Sequence, residues 1–569
     1  MARVNKDSKT YRKFTFCEVY SKYLPDIDTQ EDLEFIYNKT KTFPLDLIST
    51  LLYRAFKEEN YVERNRYITK HSRIITELFP QGLRNFSLHS ENGIESIAKW
   101  ANRQANLHAN LFAPVRIEAL TLEAHQLTPA SESKQNDKCA DSLNESSRSG
   151  SLQSAYNSLM KLCEHLGVSP PKLHPKKVTL EGAIKRLTDE SWWKSKIRSL
   201  VNQTYDQAFR ILGCVQKHGQ MYLSDRSFNA RQHQIYKNQQ LMEQIAVTNN
   251  LGQTFTLAEL SSKNVSNPAV RKAELMVRAR GFEEYANEMG HTGLFITMTC
   301  PSMYHAAYAK SGQLNSKYRG FTPYDGQQYL NRTFARIRAK LARLGITYYG
   351  LRVVEPQHDG TPHWHLLLFV QESDVNSLKS CFQHYSLEEC GDEKGAKENR
   401  VDFKVIDKDK GSATGYIAKY ISKNIDGEGL DKGVYGEDPK CAAKRVEAWA
   451  STWKIRQFQQ IGGASVTVWR ELRRLKQSNS PNPFFESVRM AADSSNWCEF
   501  NKLLDAVNQN KKDHAIKPYY DYSVDHETGE LSLSHYDRTL TEKLKGVVFR
   551  EQKIISRPLS WITKFIPQY

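Results

Sequence analysis

The chain has 569 residues, too many for one compact core, so its length predicts two to four domains. Its 80 Lys and Arg residues exceed its 64 Asp and Glu residues, and the formal charge of +16 favours a polyanionic partner, most simply nucleic acid. The sequence has no membrane-length apolar run, no apolar signal-peptide core and no C-x-x-C pair among its nine cysteines. We therefore expect a cytoplasmic protein with reduced thiols and no membrane partner.

The first half of the chain has mainly helical patterns. Helical spacing of apolar residues predicts a helical N-terminal domain over residues 1–127, and the polar composition of residues 128–154 predicts a flexible linker. Residues 155–290 form a basic helical region in which aromatic residues alternate with Lys and Arg, as on a surface that grips phosphates and stacks bases. The same pattern also fits an amphipathic helix pair with Trp193 and Tyr205 in a core.

From Gly293 onward, strand and helix patterns alternate. The segments GLFITMTC, ITYYGLRVVEP, HWHLLLFV and VDFKVID predict strands, and DGQQYLNRTFARIRAKLARLG, DVNSLKSCFQHY and SATGYIAKYISKNI predict helices. The order βαββαβα predicts a split βαβ arrangement with a central antiparallel hairpin and helices covering the sheet. The fold class is therefore expected to be α+β.

The stretch VVEPQHDGTPHWHLLLFV places His363 and His365 one residue apart at the start of an apolar strand. Residues i and i+2 of a strand point to the same face, so the two imidazoles can share a metal ion. A third ligand is expected from the other strand of the hairpin, where Glu355 precedes the turn and His358 lies within it. Such ligation leaves open positions at which a metal can polarise a phosphodiester. The alternative is a pair of half-buried histidines at a sheet edge.

The helix GSATGYIAKYISKNI contains a second group of candidate residues. Tyr416 and Tyr420 lie four residues apart, so their phenols share one helix face, and Lys419 and Lys423 accompany them. A tyrosine with a pKa near 10 can attack phosphorus when a metal and a cation assist it. The alternative is an aromatic core stripe, but the metal motif about fifty residues away favours a catalytic role.

These motifs resemble those of the HUH endonucleases, specifically the phage replication gene A proteins that initiate rolling-circle replication. The resemblance covers roughly residues 191–475, including FITMT, EPQHDGTPHWHLLLF, YIAKYISKN and RQFQQIGGASVTVWRELRRL. It implies an HUH endonuclease domain over residues 291–475, with an antiparallel sheet of the ferredoxin or RRM-like palm type flanked by helices. Residues 476–569 form a C-terminal region to which the resemblance assigns no role.

The resemblance also implies an activity, that of a site-specific single-strand DNA endonuclease that nicks the phage origin. One tyrosine of such an enzyme stays linked to the 5′-phosphate and leaves a 3′-OH, and a second tyrosine allows the transfer that rejoins the strand. Tyr416 and Tyr420 match these nucleophiles. Lys419, between them, is expected to contact a phosphate or to assist the leaving group.

The implied cofactor is a divalent ion, Mg²⁺ or Mn²⁺. His363 and His365 match the metal-binding pair of the family, and Glu355 is the expected third ligand, in competition with His358. The implied partners are a single-stranded or supercoiled phage origin in the host bacterial cytoplasm, a host DNA polymerase and a host helicase. The helicase is expected because the sequence has no G-x-x-x-x-G-K-[ST] motif.

Three other functions fit parts of the pattern. A mobilisation relaxase or a two-tyrosine single-strand transposase shares the chemistry, although the RQFQQIGG extension favours the phage replication branch. A basic, metal-stabilised DNA-binding protein with structural tyrosines would not be an enzyme at all.

Overall fold

A computed structural model of the protein describes residues 8–84, 86, 88, 90–111, 137–175, 177–406, 411–429, 431, 436–475, 482–524 and 529–565. The chain divides into two compact units, Met1–Ala208 with Leu531–Thr541, and Phe209–Glu530 with Glu542–Tyr569. The fold class is mixed α+β with antiparallel strand pairs, as expected. The five-part division expected from the sequence stays a prediction.

The first unit is helical, which confirms the expected helical N-terminal region. Its helices are α1 (Lys9–Phe16), α2 (Glu18–Ser21), α3 (Gln30–Thr40), α4 (Leu45–Ala55), α5 (Tyr61–Leu78), α6 (Glu91–Leu111), α7 (Asp137–His165), α8 (Leu180–Leu187) and α9 (Glu190–Ile211). Buried side chains at helical spacing, such as Leu47, Ile48 and Leu51, form the apolar face of α4. Trp193 and Tyr205 are buried too, so these two aromatic residues belong to a core and not to a stacking surface.

The stretch expected to be a linker, residues 128–154, is described only in part. Residues 128–136 lie outside the described residues, and residues 137–154 belong to helix α7. The later turns of α7 bury Ala155, Tyr156 and Leu159, and the helix is continuous with them. A low apolar content predicts that a segment has no core of its own, but it does not prevent such a helical extension.

The second unit contains the remaining helices and all the described strands. The helices are α10 (Asp225–Glu243), α11 (Leu257–Ser262), α12 (Pro268–Glu288), α13 (Pro323–Arg343), α14 (Val375–Leu387), α15 (Ala396–Asn399), α16 (Ala413–Ile425), α17 (Pro439–Thr452), α18 (Val466–Leu472), α19 (Pro483–Asp493) and α20 (Trp497–Leu503). The strands are β1 (Ile245–Asn249), β2 (Thr254–Thr256), β3 (His291–Met298), β4 (Tyr348–Pro356), β5 (Pro362–Gln371), β6 (Val401–Val405), β7 (Phe458–Ile461), β8 (Ile516–Tyr522), β9 (Glu542–Phe549), β10 (Gln552–Ile555) and β11 (Trp561–Phe565).

The central sheet has five antiparallel strands in the order β6-β3-β5-β4-β7. Its first four strands and their helices follow one another as β3, α13, β4, β5, α14, β6 and α16, with the short α15 before β6. The sequence did not predict β7, which pairs with β4 at the sheet edge. A four-residue strand has too short a pattern to be recognised, and its pairing with a distant strand defines it.

Both faces of the central sheet are buried, which explains the continuous apolar run of β5. Leu367 and Phe369 face a core that includes side chains of α12, α16 and α18. Leu366 and Leu368 face a second core with side chains of α13, α14 and α17. Because alternate residues of a strand share a face, His363 and His365 belong to the side that α16 covers.

Two smaller sheets, β11-β1-β2 and β10-β9-β8, have three strands each. Strands β1 and β2 lie in the region that was expected to be wholly helical, and that expectation was wrong for residues 245–256. Strand β1 pairs with β11, which lies more than three hundred residues later in the chain, and a local sequence pattern cannot predict such a pairing. Among the described residues, no helix combines the length and apolar character needed to cross a bilayer.

Candidate active site

The hairpin of β4 and β5 brings the predicted metal ligands together. Its register places Glu355 directly opposite His363, and His365 follows on the same face of β5. The turn closes with a bond from the Gln357 amide to the Thr361 carbonyl at 2.8 Å, and Gly360 adopts a φ of +82° that favours glycine. The hairpin itself therefore sets the geometry of the three side chains.

A buried polar network fixes the hairpin turn in place. The Asp359 carboxylate accepts bonds from the Ala306 amide at 2.7 Å and from the Thr361 amide at 3.0 Å, and His305 lies 3.4 Å from it. Arg210 is fully buried and donates to the Asp359 carbonyl at 2.9 Å. Ala306 and Arg210 belong to segments distant from the turn, so their hydrogen bonds leave the turn little freedom to move.

Glu355, His363 and His365 form a group whose ligand atoms lie within 4.8 Å of one another. Oε2 of Glu355 is 3.4 Å from Nε2 of His365 and 3.8 Å from Nε2 of His363. Two ligands about 2.1 Å from one ion lie at most about 4.2 Å apart, so both separations fit a shared ion. The group does not include His358, so the geometry favours Glu355 as the third ligand.

The donor atoms are also prepared for a metal. Nε2 of His365, the imidazole nitrogen that lies 3.4 Å from Oε2 of Glu355, is buried and makes no hydrogen bond with the described residues. The other nitrogen of His365, Nδ1, lies 3.2 Å from the Thr297 hydroxyl oxygen, a contact that orients the ring with Nε2 towards Glu355. A buried polar atom without a partner is costly, and an ion bound by Nε2 of His365 would satisfy it.

Asn424 on α16 orients the carboxylate of Glu355. Its side-chain amide donates to Oε1 of Glu355 at 2.5 Å and to the Tyr420 carbonyl at 2.7 Å, and Gln457 in turn donates to its oxygen at 3.2 Å. Oε1 is thereby occupied while Oε2 faces the histidines. Asn424 was not among the residues predicted from the sequence, although its helical spacing, four residues after Tyr420, was a usable signal.

The protonation states of these residues also suit metal binding. Burial, followed by the neighbouring His365, lowers the pKa of His363 to about 3, so its ring is neutral at pH 7. Burial acts to raise the pKa of Glu355, but His365, His363 and Lys423 outweigh it and the pKa lies below its usual value. Neutral imidazoles and an ionised carboxylate are the forms that bind divalent metals.

Helix α16 places the two tyrosines beside this group. The Ser412 hydroxyl accepts the Gly415 amide at 2.9 Å at the start of the helix, and Glu283 accepts the Ala413 amide at 2.6 Å. Ile417 and Ile421 are buried in the core under the sheet. The burial of these positions fixes the helix rotation and directs Tyr416 and Tyr420 along the sheet surface towards β3 and β5.

The two tyrosines occupy different environments. The Tyr420 ring lies 4.0 Å from the His365 ring, centroid to centroid, and burial, followed by Glu355 and Tyr416, raises its pKa above the usual value. Tyr416 is 37% exposed, and its hydroxyl accepts a hydrogen bond from Nζ of Lys404 on β6 at 3.1 Å. Phe295 contacts both rings, at 5.0 Å from Tyr420 and 4.7 Å from Tyr416. Of the two tyrosines, Tyr420 is therefore the one beside the group of three candidate metal ligands, called the metal group below.

The lysines of α16 also differ. Lys419 is exposed, whereas Nζ of Lys423 lies 4.9 Å from the centroid of the Tyr420 ring. A pocket of about 270 Å³ opens at the metal group, and its wall includes Tyr420, Lys423 and Asn424. Tyr222 and Glu437 complete part of this wall, with the Tyr222 hydroxyl donating to Glu437 at 2.8 Å. No sequence pattern connects these two residues to the site.

The chain shares extended sequence similarity with phage replication proteins. Residues 122–428 match the bacteriophage replication gene A protein (GPA) family. The replication protein of Haemophilus phage HP1 is 36% identical over 72% of this chain and 54% of its own length, and the replication gene A protein of Escherichia phage 186 is 39% identical over 62% and 53%. A probable replication endonuclease from a prophage-like region of Salmonella paratyphi A is 32% identical over 60% of this chain and 44% of its own length.

The match therefore spans about half the length of these relatives. No solved structure gives a significant match to the chain. The family match alone covers residues 122–428, more than half of the 569 residues, and includes both the histidine hairpin and the tyrosine helix. On this evidence the chain belongs to the bacteriophage replication gene A protein family.

Proposed function

We propose that this protein is a metal-dependent endonuclease that nicks one strand of a phage replication origin and thereby initiates and terminates rolling-circle replication. One observation carries the proposal: Tyr420 lies against His365 of a buried Glu-His-His group, with Tyr416 one helical turn away. The relative from Salmonella paratyphi A is named a probable replication endonuclease, which supports the same chemistry. We assign the central sheet and its helices to the palm of an HUH endonuclease.

Glu355, His363 and His365 would hold one divalent ion, Mg²⁺ or Mn²⁺. When bound, this ion would act as a Lewis acid that withdraws charge from a non-bridging oxygen of the scissile phosphate. Asn424 keeps the carboxylate turned towards the histidines, and Thr297 keeps the His365 ring in one orientation. The pocket of about 270 Å³ beside these residues would receive the phosphate.

Tyr420 is placed to make the first transfer. Its hydroxyl oxygen attacks the phosphorus, the bond from phosphorus to the 3′ oxygen breaks, and the strand stays attached through a 5′-phosphotyrosine. The phenol loses one proton and the leaving 3′ oxygen gains one, so no cofactor is consumed. Lys423, close to the Tyr420 ring, adds positive charge beside the phosphate as the phenol loses its proton.

Tyr416 is placed to make the second transfer. Its hydroxyl already accepts a hydrogen bond from Lys404, which stabilises a phenolate. After a round of synthesis, Tyr416 attacks the regenerated origin, and the free 3′-OH then attacks the first phosphotyrosine and closes a circle. Each phosphoester broken is replaced by another, so joining needs no ATP. A host helicase and a host DNA polymerase would supply unwinding and synthesis, and Lys419 would contact DNA outside the pocket.

The test is an adduct assay with a supercoiled origin plasmid and a labelled single-stranded origin oligonucleotide in the presence of Mn²⁺. We expect the unmodified protein to convert the plasmid to an open circle and to form a covalent adduct on Tyr416 or Tyr420. The double variant Tyr416→Phe with Tyr420→Phe should bind the oligonucleotide and form no adduct. Each single variant should cleave once at most and fail to circularise.

The outcomes separate the proposal from its alternatives. An adduct on another residue, located by peptide mass spectrometry, or circularisation by both single variants would refute the two-tyrosine mechanism. Binding without any nicking by the unmodified protein would indicate a metal-stabilised DNA-binding protein. Cleavage of a transfer origin or a transposon end, with no action on the replication origin, would indicate a mobilisation relaxase or a single-strand transposase.

A further inference from the structure

The sheet of β8, β9 and β10 has one face against the core and one face open to solvent. Ile516, Val547 and Phe549 are buried, and Phe549 packs against Phe485 of α19 with 5.6 Å between ring centroids. Arg557, just after β10, donates to Glu471 of α18 at 2.7 and 2.9 Å. The sheet is therefore held firmly by the helices behind it.

The open face carries an ordered array of side chains. Strand register gives three rows across the sheet: Lys517, Val548 and Lys553; Tyr519, Gly546 and Ile555; and Asp521 with Lys543. Lys545 lies at the irregularity in the β8 to β9 register, which falls between the second and third rows. Lys553 Nζ is 4.9 Å from the Tyr519 ring centroid, which shows that β8 and β10 direct these residues to the same side.

Ion pairs among the described residues do not balance the positive charge of this face. Lys517, Lys543 and Lys553 are exposed and Lys545 is half-buried, and none of the four forms an ion pair with another described residue. Asp521 is the one acidic side chain in the three rows, and its carboxylate accepts a hydrogen bond from the Tyr519 hydroxyl at 2.5 Å. Like charges gathered on one sheet face repel, so they cost stability unless an anion lies between them.

We propose that this face, defined by Lys517, Tyr519, Lys543, Lys545 and Lys553, binds the sugar-phosphate backbone of single-stranded DNA. The lysines contact phosphates, and the central row of Tyr519, Gly546 and Ile555 offers an aromatic ring and an apolar surface to one base. Binding of this kind does not depend on base sequence. The inference rests on the proposed function only in taking DNA as the polyanion.

An ordinary solvated face explains the array less well. In the three rows, Asp521 is the one acidic side chain beside lysines on three adjacent strands, so the face keeps an excess of positive charge that an anion can neutralise. The backing of the sheet by α18 and α19 also makes the array rigid, which lowers the ordering cost of binding an extended strand. This face lies beyond residue 428, outside the matched family region, and none of its residues belongs to the Glu355, His363 and His365 group or to the tyrosine helix.

The test compares two charge-matched double variants of the full chain. Lys517→Gln with Lys553→Gln removes two cations from the face, and Lys394→Gln with Lys397→Gln removes two exposed cations from the segment around α15. Affinity for a fluorescent thirty-residue oligothymidylate is measured in EDTA at several salt concentrations. Far-ultraviolet circular dichroism and melting temperature confirm that both variants fold.

Each lost phosphate contact on a single strand should reduce the salt slope of the binding constant by about 0.7. The face variant should therefore lose about 1.4 from its slope and bind about 25-fold more weakly at 0.1 M salt than the unmodified protein, and the control should be unchanged. Equal losses in both variants, or no loss in the face variant, would overturn the inference. The inference would also be overturned if the face variant bound polyglutamate or duplex DNA more weakly but bound oligothymidylate as tightly as the unmodified protein.

The assay does not depend on nicking. EDTA removes metal-dependent cleavage, and oligothymidylate contains no origin sequence. If the face variant loses affinity while the unmodified protein never nicks an origin, this inference stands and the proposed function fails. If the unmodified protein nicks a short origin oligonucleotide while the face variant binds oligothymidylate as tightly as the unmodified protein does, the proposed function stands and this inference fails.

Discussion

Replacing Asn424 by Ala should weaken metal binding without removing a metal ligand. The Asn424 side-chain amide donates to Oε1 of Glu355 at 2.5 Å and to the Tyr420 carbonyl at 2.7 Å, and the residue is 1% exposed. Alanine leaves a buried carboxylate oxygen without this donor, and the carboxylate can rotate away from the histidines. Because Glu355, His363 and His365 all remain in the chain, a loss of metal affinity in this variant measures the orientation of the Glu355 carboxylate.

The expected magnitude follows from the burial of this contact. Loss of an outer partner of a metal ligand typically lowers metal affinity by about 10- to 100-fold, which corresponds to roughly 1.4–2.8 kcal/mol. Leaving a buried acceptor unsatisfied costs about 1–3 kcal/mol of folding stability as well. We therefore expect the Mn²⁺ concentration for half-maximal nicking to rise by about 10- to 100-fold, with a nearly normal rate at saturating Mn²⁺.

Asn315→Ala is a matched control. Asn315 is 6% exposed, and its side-chain amide likewise donates two hydrogen bonds, here to the backbone carbonyls of Ser302 at 2.8 Å and His305 at 2.9 Å. It should lose similar stability in urea unfolding with an unchanged Mn²⁺ requirement for nicking. The reasoning would be wrong if Asn424→Ala kept the normal Mn²⁺ requirement, or if Asn315→Ala raised it equally.

Three further changes test other parts of the site. In a Tyr420→Phe background, the additional change Lys404→Met should slow adduct formation on Tyr416 by roughly two- to fivefold, measured on gels. This small effect is expected because the contact between Lys404 and Tyr416 is charged but exposed. Burial acts to raise the pKa of Asp359, but His305 and Arg210 outweigh it, so the pKa lies well below its usual value. The stabilisation that the ionised carboxylate gives the fold begins to fall below about pH 4 and is lost only as pH passes through this lowered pKa. Asp359→Asn should therefore cost about 3–5 kcal/mol at pH 7 and progressively less as the pH is lowered from about 4 to about 2 by urea unfolding, and a cost that does not change over this range would contradict the assignment. EDTA should abolish nicking while salt-sensitive DNA binding persists in a gel-shift assay, and nicking that survives EDTA would exclude the metal.

The chemistry-bearing residues could be found from the sequence because their signals are local. His363 and His365 share a face through the two-residue period of a strand, and Tyr416 and Tyr420 share one through the helical turn. The same periodicities predicted the α+β class, the central hairpin and the helix that carries the tyrosines. The backbone geometry of a short segment is enough to set these relations.

The tertiary structure decided what depends on distant segments. The hairpin register grouped Glu355, and not His358, with the two histidines, since a shift of one residue would turn Glu355 to the opposite face. Packing of α16 against the sheet separated a half-buried Tyr420 beside the metal group from an exposed Tyr416 beside Lys404. Strand β1 pairs with a strand near the C-terminal end, and the open lysine face forms only when β8, β9 and β10 align. Such contacts join residues far apart in the chain, and their free energy comes from burial and pairing that a local sequence pattern does not record.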